Sequence, residues 1–223
     1  MNNLIEILIH LAKKDATSKL VLKDYTDYAK KVGAAYMARP DYEGEYVSSW
    51  EALAKHTEKM YKQTLSRIGV EFQDEDPYEN FDQMKKDVED TGILKVFKDA
   101  SDHPVWTEEQ NWLFRAVHDA TIHLAGRGHP FTLRGELGAY NRHYKIVPHA
   151  ARDALFTEVV GQVCTFWYRD EKFDFPQKIC RLWGFDYNNV GTIDEIAYKK
   201  NFEDSEEEPE ELEKLAAHLL GVS

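Results

Sequence analysis

The chain has 223 residues, 43% of them hydrophobic and 30% charged, enough for one compact domain and too apolar for a disordered or low-complexity chain. No apolar run approaches the roughly 20 residues that span a bilayer, which excludes an integral membrane protein. Two cysteines, Cys164 and Cys180, exclude a disulfide framework and a four-cysteine zinc site. The opening Met-Asn-Asn shows no basic stretch with a cleavage site, so a reduced intracellular setting is expected. The net charge of −12 is uneven: eight acidic and no basic residues lie between Glu203 and Glu213, and without them the balance is −4. Such a balance argues against tight binding to a phosphate backbone, which needs clustered Lys and Arg. The acidic run reads as a solvated segment, a nucleic-acid mimic or the dock of a basic partner.

Most of the chain reads as helix. Residues 2–14 carry Leu4, Ile5, Leu8, Ile9 and Leu11 near a 3.6 period and end in Lys13-Lys14. A second helix is expected from Ser18 to Ala38, ending before Pro40. A third begins at Ser48-Ser49, carries Trp50, Leu53, Ala54, Met60, Tyr61 and Leu65, and stops at Gly69. Val70–Phe72 and Ile93–Val96 are expected strands, separated by a helix from Glu79 to Asp90 and able to pair. Thr107-Glu108-Glu109-Gln110 is a capping box opening a helix to about Ala125, closed by Gly126 to Pro130. Helices then follow over 133–147, from Pro148 to Tyr168, and from Pro176 to Gly184, with 185–189 as a loop and a last helix carrying Leu212, Leu215, Leu219 and Leu220.

The expected fold is therefore mainly α, a bundle-like single domain over 1–202 with a small two-stranded β element. Residues 1–100 form a scaffold half, 103–187 a motif-bearing half, and 203–223 an acidic segment with a C-terminal helix.

Six of the nine histidines fall between His103 and His149. Three consecutive helices there carry polar groups on single faces: Asp119 with His123 four apart, Glu136 with Tyr140 and His143 within two turns, and Glu158 with Gln162 four apart. Ala116, Ala120, Gly135, Gly138, Ala139 and Gly161 would let these helices approach closely. Facing stripes of carboxylates and imidazoles are the mixed donor set of zinc, iron or manganese, and a divalent ion offsets the cost of burying them. Asp119, His123, Glu136, His143 and Glu158 are the candidate ligands. Tyr140 and Gln162 could orient them, and His118 or Gln162 could position a water or substrate. His118 stands about 140° from His123 on a straight helix, so the two share an ion only if the helix bends. Each pair alone is more often an ordinary side-chain contact; three on successive helices raise the metal reading. His103, His129 and His149 sit beside prolines and read as structural or exposed. Cys164 lies in a bulky apolar stretch and reads as a buried hydrophobe.

The stretch from Asn111 to Gln162 resembles a family of proteins encoded by tailed bacteriophages. The shared residues are Phe114-Arg115-Ala116-Val117-His118-Asp119, then Gly135-Glu136 with Ala139-Tyr140 and His143, then Phe156-Thr157-Glu158 with Gly161-Gln162. The likeness extends through Pro176–Ile179 to Phe185–Tyr187, about half the chain. It implies a phage protein acting in the cytoplasm of the infected bacterium or in the virion, and it brings no activity with it. The His118-Asp119 doublet is also similar to that of metal-dependent phosphohydrolases. Three functions are therefore carried forward: a metal-dependent hydrolase of phosphoesters with a small or nucleotide-like substrate, a non-haem di-iron oxidase, and a non-enzymatic virion or host-binding protein.

Overall fold

The computed structural model describes residues 19–64, 67–98, 102–125 and 128–203. The helix expected at 2–14 and the segment 204–223 lie outside the described residues. Contacts gather the chain into two units, the larger from residues 24–182 with 187–190, the smaller holding the described residues 19–23, 183–186 and 191–203.

In the larger unit, helix α1 (Tyr25–Ala38) starts where the Asp24 carboxylate accepts the Thr26 amide, 2.8 Å. It begins seven residues later than its periodicity suggests. Its packing on the helix that ends at Tyr168 needs Gly33, where a Cβ would stand 2.5 Å from Tyr168 Cβ. Helix α2 (Val47–Thr64) buries Trp50, Leu53, Ala54 and Thr57. Strands β2 (Gly69–Gln73) and β3 (Ile93–Phe97) do pair, in parallel, with Gly69 opposite Ile93 and Gln73 opposite Phe97. Helix α3 (Phe81–Thr91) makes the crossover that a parallel pair requires. It is capped by the Asn80 side chain and ends at Gly92, whose φ of 71° is the left-handed value glycine tolerates. Leu94 and Val96 alternate inward and pack with Phe81, Met84 and Ala116.

Helix α4 (Glu108–His118) opens on the Thr107/Gln110 capping box, both reciprocal bonds formed. It runs without a break into a π-helical turn, Asp119–His123. Helix α5 (Leu133–Tyr144) begins at Thr132, whose hydroxyl accepts the Gly135 amide. The rod expected from Pro148 to Tyr168 is present as α6 (Arg152–Leu155), a second π-helical stretch (Phe156–Gly161) and α7 (Gln162–Tyr168).

The segment after Pro176 is extended, not helical. Ile179 bridges Tyr42 in parallel, donating to the Asp41 carbonyl (2.9 Å) and accepting from the Glu43 amide (2.7 Å). This pairing buries Ile179, Cys180 and Leu182, a gain that local helix propensity does not match. Lys178 donates to the carbonyls of Met37 and Arg39, satisfying the open end of α1.

In the smaller unit, β1 (Lys19–Val21) pairs antiparallel with β4 (Thr192–Asp194), so the residues expected to open the second helix form a strand instead. Helix α8 (Glu195–Tyr198) leads into a π turn, Lys199–Glu203, and Phe185, Tyr198 and Phe202 pack ring against ring. The described residues are thus mainly helical with two small strand pairs, the class the periodicities predict. None of the described helices is long and apolar enough to cross a membrane.

Candidate metal centre

The π turn after α4 decides which side chains meet. On a straight helix His118 and His123 diverge; a π turn takes one more residue per turn, so residues five apart return to the same face. Its signature bond runs from the Leu124 amide to the Asp119 carbonyl, 2.9 Å. Thr121 favours the distortion, because its hydroxyl donates to the Val117 carbonyl (2.6 Å), a side-chain bond that bends helices. The outcome is that His118 Nε2 and His123 Nε2 lie 3.1 Å apart.

Glu136, in the first turn of α5, completes the cluster. Its Oε2 stands 3.2 Å from His123 Nε2 and 4.0 Å from His118 Nε2. A point equidistant from three atoms so separated lies about 2.0 Å from each, the length of a zinc–imidazole or zinc–carboxylate bond. Among the described residues this is the group of His, Cys, Asp or Glu side chains whose ligand atoms come close enough to share an ion.

The surroundings orient the donors. His123 Nδ1 sits 2.7 Å from the His129 carbonyl, which accepts its proton and leaves Nε2 turned toward Glu136. The loop carrying His129 lies against α5 only because Gly135 and Gly138 have no side chains. A Cβ on Gly135 would stand 1.9 Å from the Pro130 carbonyl oxygen, and one on Gly138 would stand 2.9 Å from His129 Nδ1. The small residues here admit a loop, where the sequence suggested a neighbouring helix. Behind His118, its Nδ1 meets His143 Nδ1 at 3.1 Å, and Phe114 stacks on both rings. His143 is wholly buried and its Nε2 has no hydrogen-bond partner.

Charge within the cluster is shared. Burial opposes an imidazolium at His123, but the hydrogen bond and charge of Glu136 outweigh it and push the pKa up to about 9. Burial likewise opposes the Glu136 carboxylate, and the imidazoles of His118 and His123 beside it hold it down at about 2. Asp119 is raised by burial against the pull of those two histidines, and His143 is pushed well below its usual value, chiefly by burial. The cluster opens into a cleft of about 380 Å³ whose wall includes Asp119, Tyr78, Arg115 and Phe131.

Other candidate residues stand elsewhere. Glu158 and Gln162, on the second π-helical rod, form a separate centre. The Glu158 carboxylate accepts the Trp50 indole (2.6 Å), the Gln162 amide (2.6 Å) and His103 Nε2 (3.1 Å). His103 Nδ1 accepts the amides of Val105 and Trp106, so the proton must lie on Nε2, facing Glu158. Its side chain is fully buried, although its place beside Pro104 suggests a loop residue. Tyr140 is a core residue whose hydroxyl donates to the Tyr187 carbonyl, 2.8 Å. The structure thus joins His118, His123 and Glu136, leaves Asp119 on the cleft wall, sets His143 behind His118, and sends Glu158, Gln162 and Tyr140 elsewhere. Sequence periodicity missed the roles of His103 and Trp50, which come from distant elements. The β-branched Thr121-Ile122 pair was the available signal for the π turn. Comparison with protein-family models, with curated proteins and with solved structures finds no match, so geometry alone carries the functional reading.

Proposed function

We propose that this chain is a metal-dependent hydrolase of phosphoesters, with one divalent ion held by His118, His123 and Glu136 and the substrate taken up in the adjoining cleft. The observation that carries the reading is the convergence of two imidazole nitrogens and a carboxylate oxygen, with one imidazole's far nitrogen engaged by a carbonyl. Two histidines and one glutamate are the ligand set of catalytic zinc sites that keep a position open for water. A bound ion would supply a water of lowered pKa and polarise the phosphoryl oxygen. His123 is aligned by the His129 carbonyl and His118 by His143, while Asp119 lines the same cleft. A small or nucleotide-like phosphoester is the substrate class. Phage origin, residence in the host cytoplasm or virion, and a phage or host protein partner rest on the sequence resemblance alone.

The donor set favours one second reading. Two histidines and one carboxylate also form the facial triad of non-haem iron oxygenases. The described residues assemble one such cluster, with a single carboxylate, which suits one iron better than the pair a di-iron oxidase holds.

Metal analysis of tag-free protein, with Glu136→Gln and His123→Ala beside it, tests both. Near-stoichiometric zinc or manganese that both variants lose, together with cleavage of p-nitrophenyl phosphate or its diester, is the expected result. Iron with oxygen consumption would transfer the assignment to the oxygenase. Absence of metal after reconstitution overturns both enzyme readings and leaves the non-enzymatic protein.

A further inference from the structure

A second cleft, of about 500 Å³, lies in the larger unit and is lined by Arg67, Arg142, Thr121, Met60, Ile68 and Ile146 among others. It shares the π turn with the metal centre. Ala120 and Thr121 line this cleft, whereas His118, Asp119 and His123 line the other.

Its charge is opposite in sign to that of the chain as a whole. The chain carries twelve more acidic than basic residues, and many described cations are already engaged. Lys95 pairs with Asp87, Arg169 with Asp174, Arg39 with Glu43, and Arg115 donates to the Phe97 carbonyl. Arg67 and Arg142 are exposed, and among the described residues neither makes an ion pair or a side-chain hydrogen bond. Two unengaged guanidinium groups at one cleft present paired N–H donors matched to the oxygens of a phosphate or carboxylate. Beside them stand the apolar side chains of Met60, Ile68 and Ile146. The volume lies within the roughly 300–1,000 Å³ of small-molecule sites and is far larger than a bare oxyanion fills. The negative field of the whole chain disfavours a long polyanion, so recognition here works by contact and not by long-range attraction.

We infer that this cleft is a binding site for a small organic anion, one phosphate or carboxylate group on an apolar body, held by Arg67 and Arg142. The site is independent of any ion at the His118 cluster, and it supplies the unpaired cationic groups that the metal cleft lacks.

Titration of the full chain, stripped of metal with chelator, against 1-naphthyl phosphate, 1-naphthylacetate, inorganic phosphate and 1-naphthol tests it. The expected result is saturable binding of one or both naphthyl anions, at least about tenfold tighter than inorganic phosphate or naphthol. Which naphthyl anion wins separates phosphate from carboxylate recognition. Arg67→Gln and Arg142→Gln should each weaken binding about tenfold, and Arg67→Lys or Arg142→Lys less, since a lysine keeps the charge and loses the fork. Glu136→Gln should leave it unchanged. No binding at millimolar concentration overturns the inference, as does binding indifferent to both arginines or abolished by Glu136→Gln. Because the metal is absent throughout, such a failure leaves the hydrolase reading standing.

Discussion

Glu136 and Glu158 are both glutamates on helices that face imidazoles, yet their surroundings are opposite. Glu158 accepts N–H groups from Trp50, His103 and Gln162, and the His103 tautomer is set by two amides donating to its other nitrogen. Every partner is a donor, so the carboxylate is satisfied by the protein itself. Glu136 faces His118 and His123, whose Nε2 atoms are 3.1 Å apart and have at most a proton or two to share with the carboxylate. In the ion-free fold the His123 proton is shared with Glu136; once it leaves, three lone-pair-bearing atoms face one another, and a cation would satisfy all of them together. A buried carboxylate is therefore diagnostic of a metal only when the hydrogen positions of its neighbours are worked out.

Substitution separates the two centres. Glu136→Gln should weaken zinc binding by at least about a hundredfold, or roughly 3 kcal/mol, with its cost to the ion-free protein in urea confined to pH below about 9, where His123 is protonated; competition with a chromophoric chelator reads the affinity. Glu158→Ala should do the reverse, costing on the order of 3 kcal/mol in urea denaturation by stranding three buried donors while zinc affinity holds. Equal effects of the two on zinc would dissolve the contrast. Gly135→Ala forces a Cβ against the Pro130 carbonyl oxygen and should cost about 2 kcal/mol, with zinc affinity falling because the His129 carbonyl leaves His123. His143→Gln should weaken zinc about tenfold, the effect of an outer residue that orients a ligand.

The smallest effect is in pH. His123 is raised in the ion-free fold, so its contribution is complete below the ordinary imidazole value of 6.5 and is lost as pH climbs through about 9. Glu136 is lowered, so its contribution holds above 4.5 and is lost as pH falls through about 2. The pair therefore supports the ion-free protein most between about pH 4.5 and 6.5. Zinc must displace the His123 proton, so the rise in Tm on adding zinc should grow from pH 6.5 to 9. A rise that is flat or shrinking over that range would mean that His123 is not a ligand.

The sequence by itself determined the helical class, the capping box at Thr107, strands at 70–72 and 93–96, and the gathering of polar side chains in the stretch that holds His118, His123 and Glu136. Those features are local: caps, periods and spacing act within a few residues and are legible in order along the chain. Tertiary structure decided the rest. The four-residue spacing of Asp119 and His123 pointed to one pair of ligands, and the π turn instead brings His118 beside His123 and Glu136. Glu158 and Gln162 hold the right spacing for a ligand pair, but Trp50 and His103 arrive from distant elements and claim the carboxylate. Residues 176–184 have helical composition, yet the bridge of Ile179 to 41–43 holds 176–182 in a non-helical course. In the last two cases a contact between residues far apart in sequence outweighed a local preference worth a fraction of a kcal/mol per residue. No window along the chain contains such a contact.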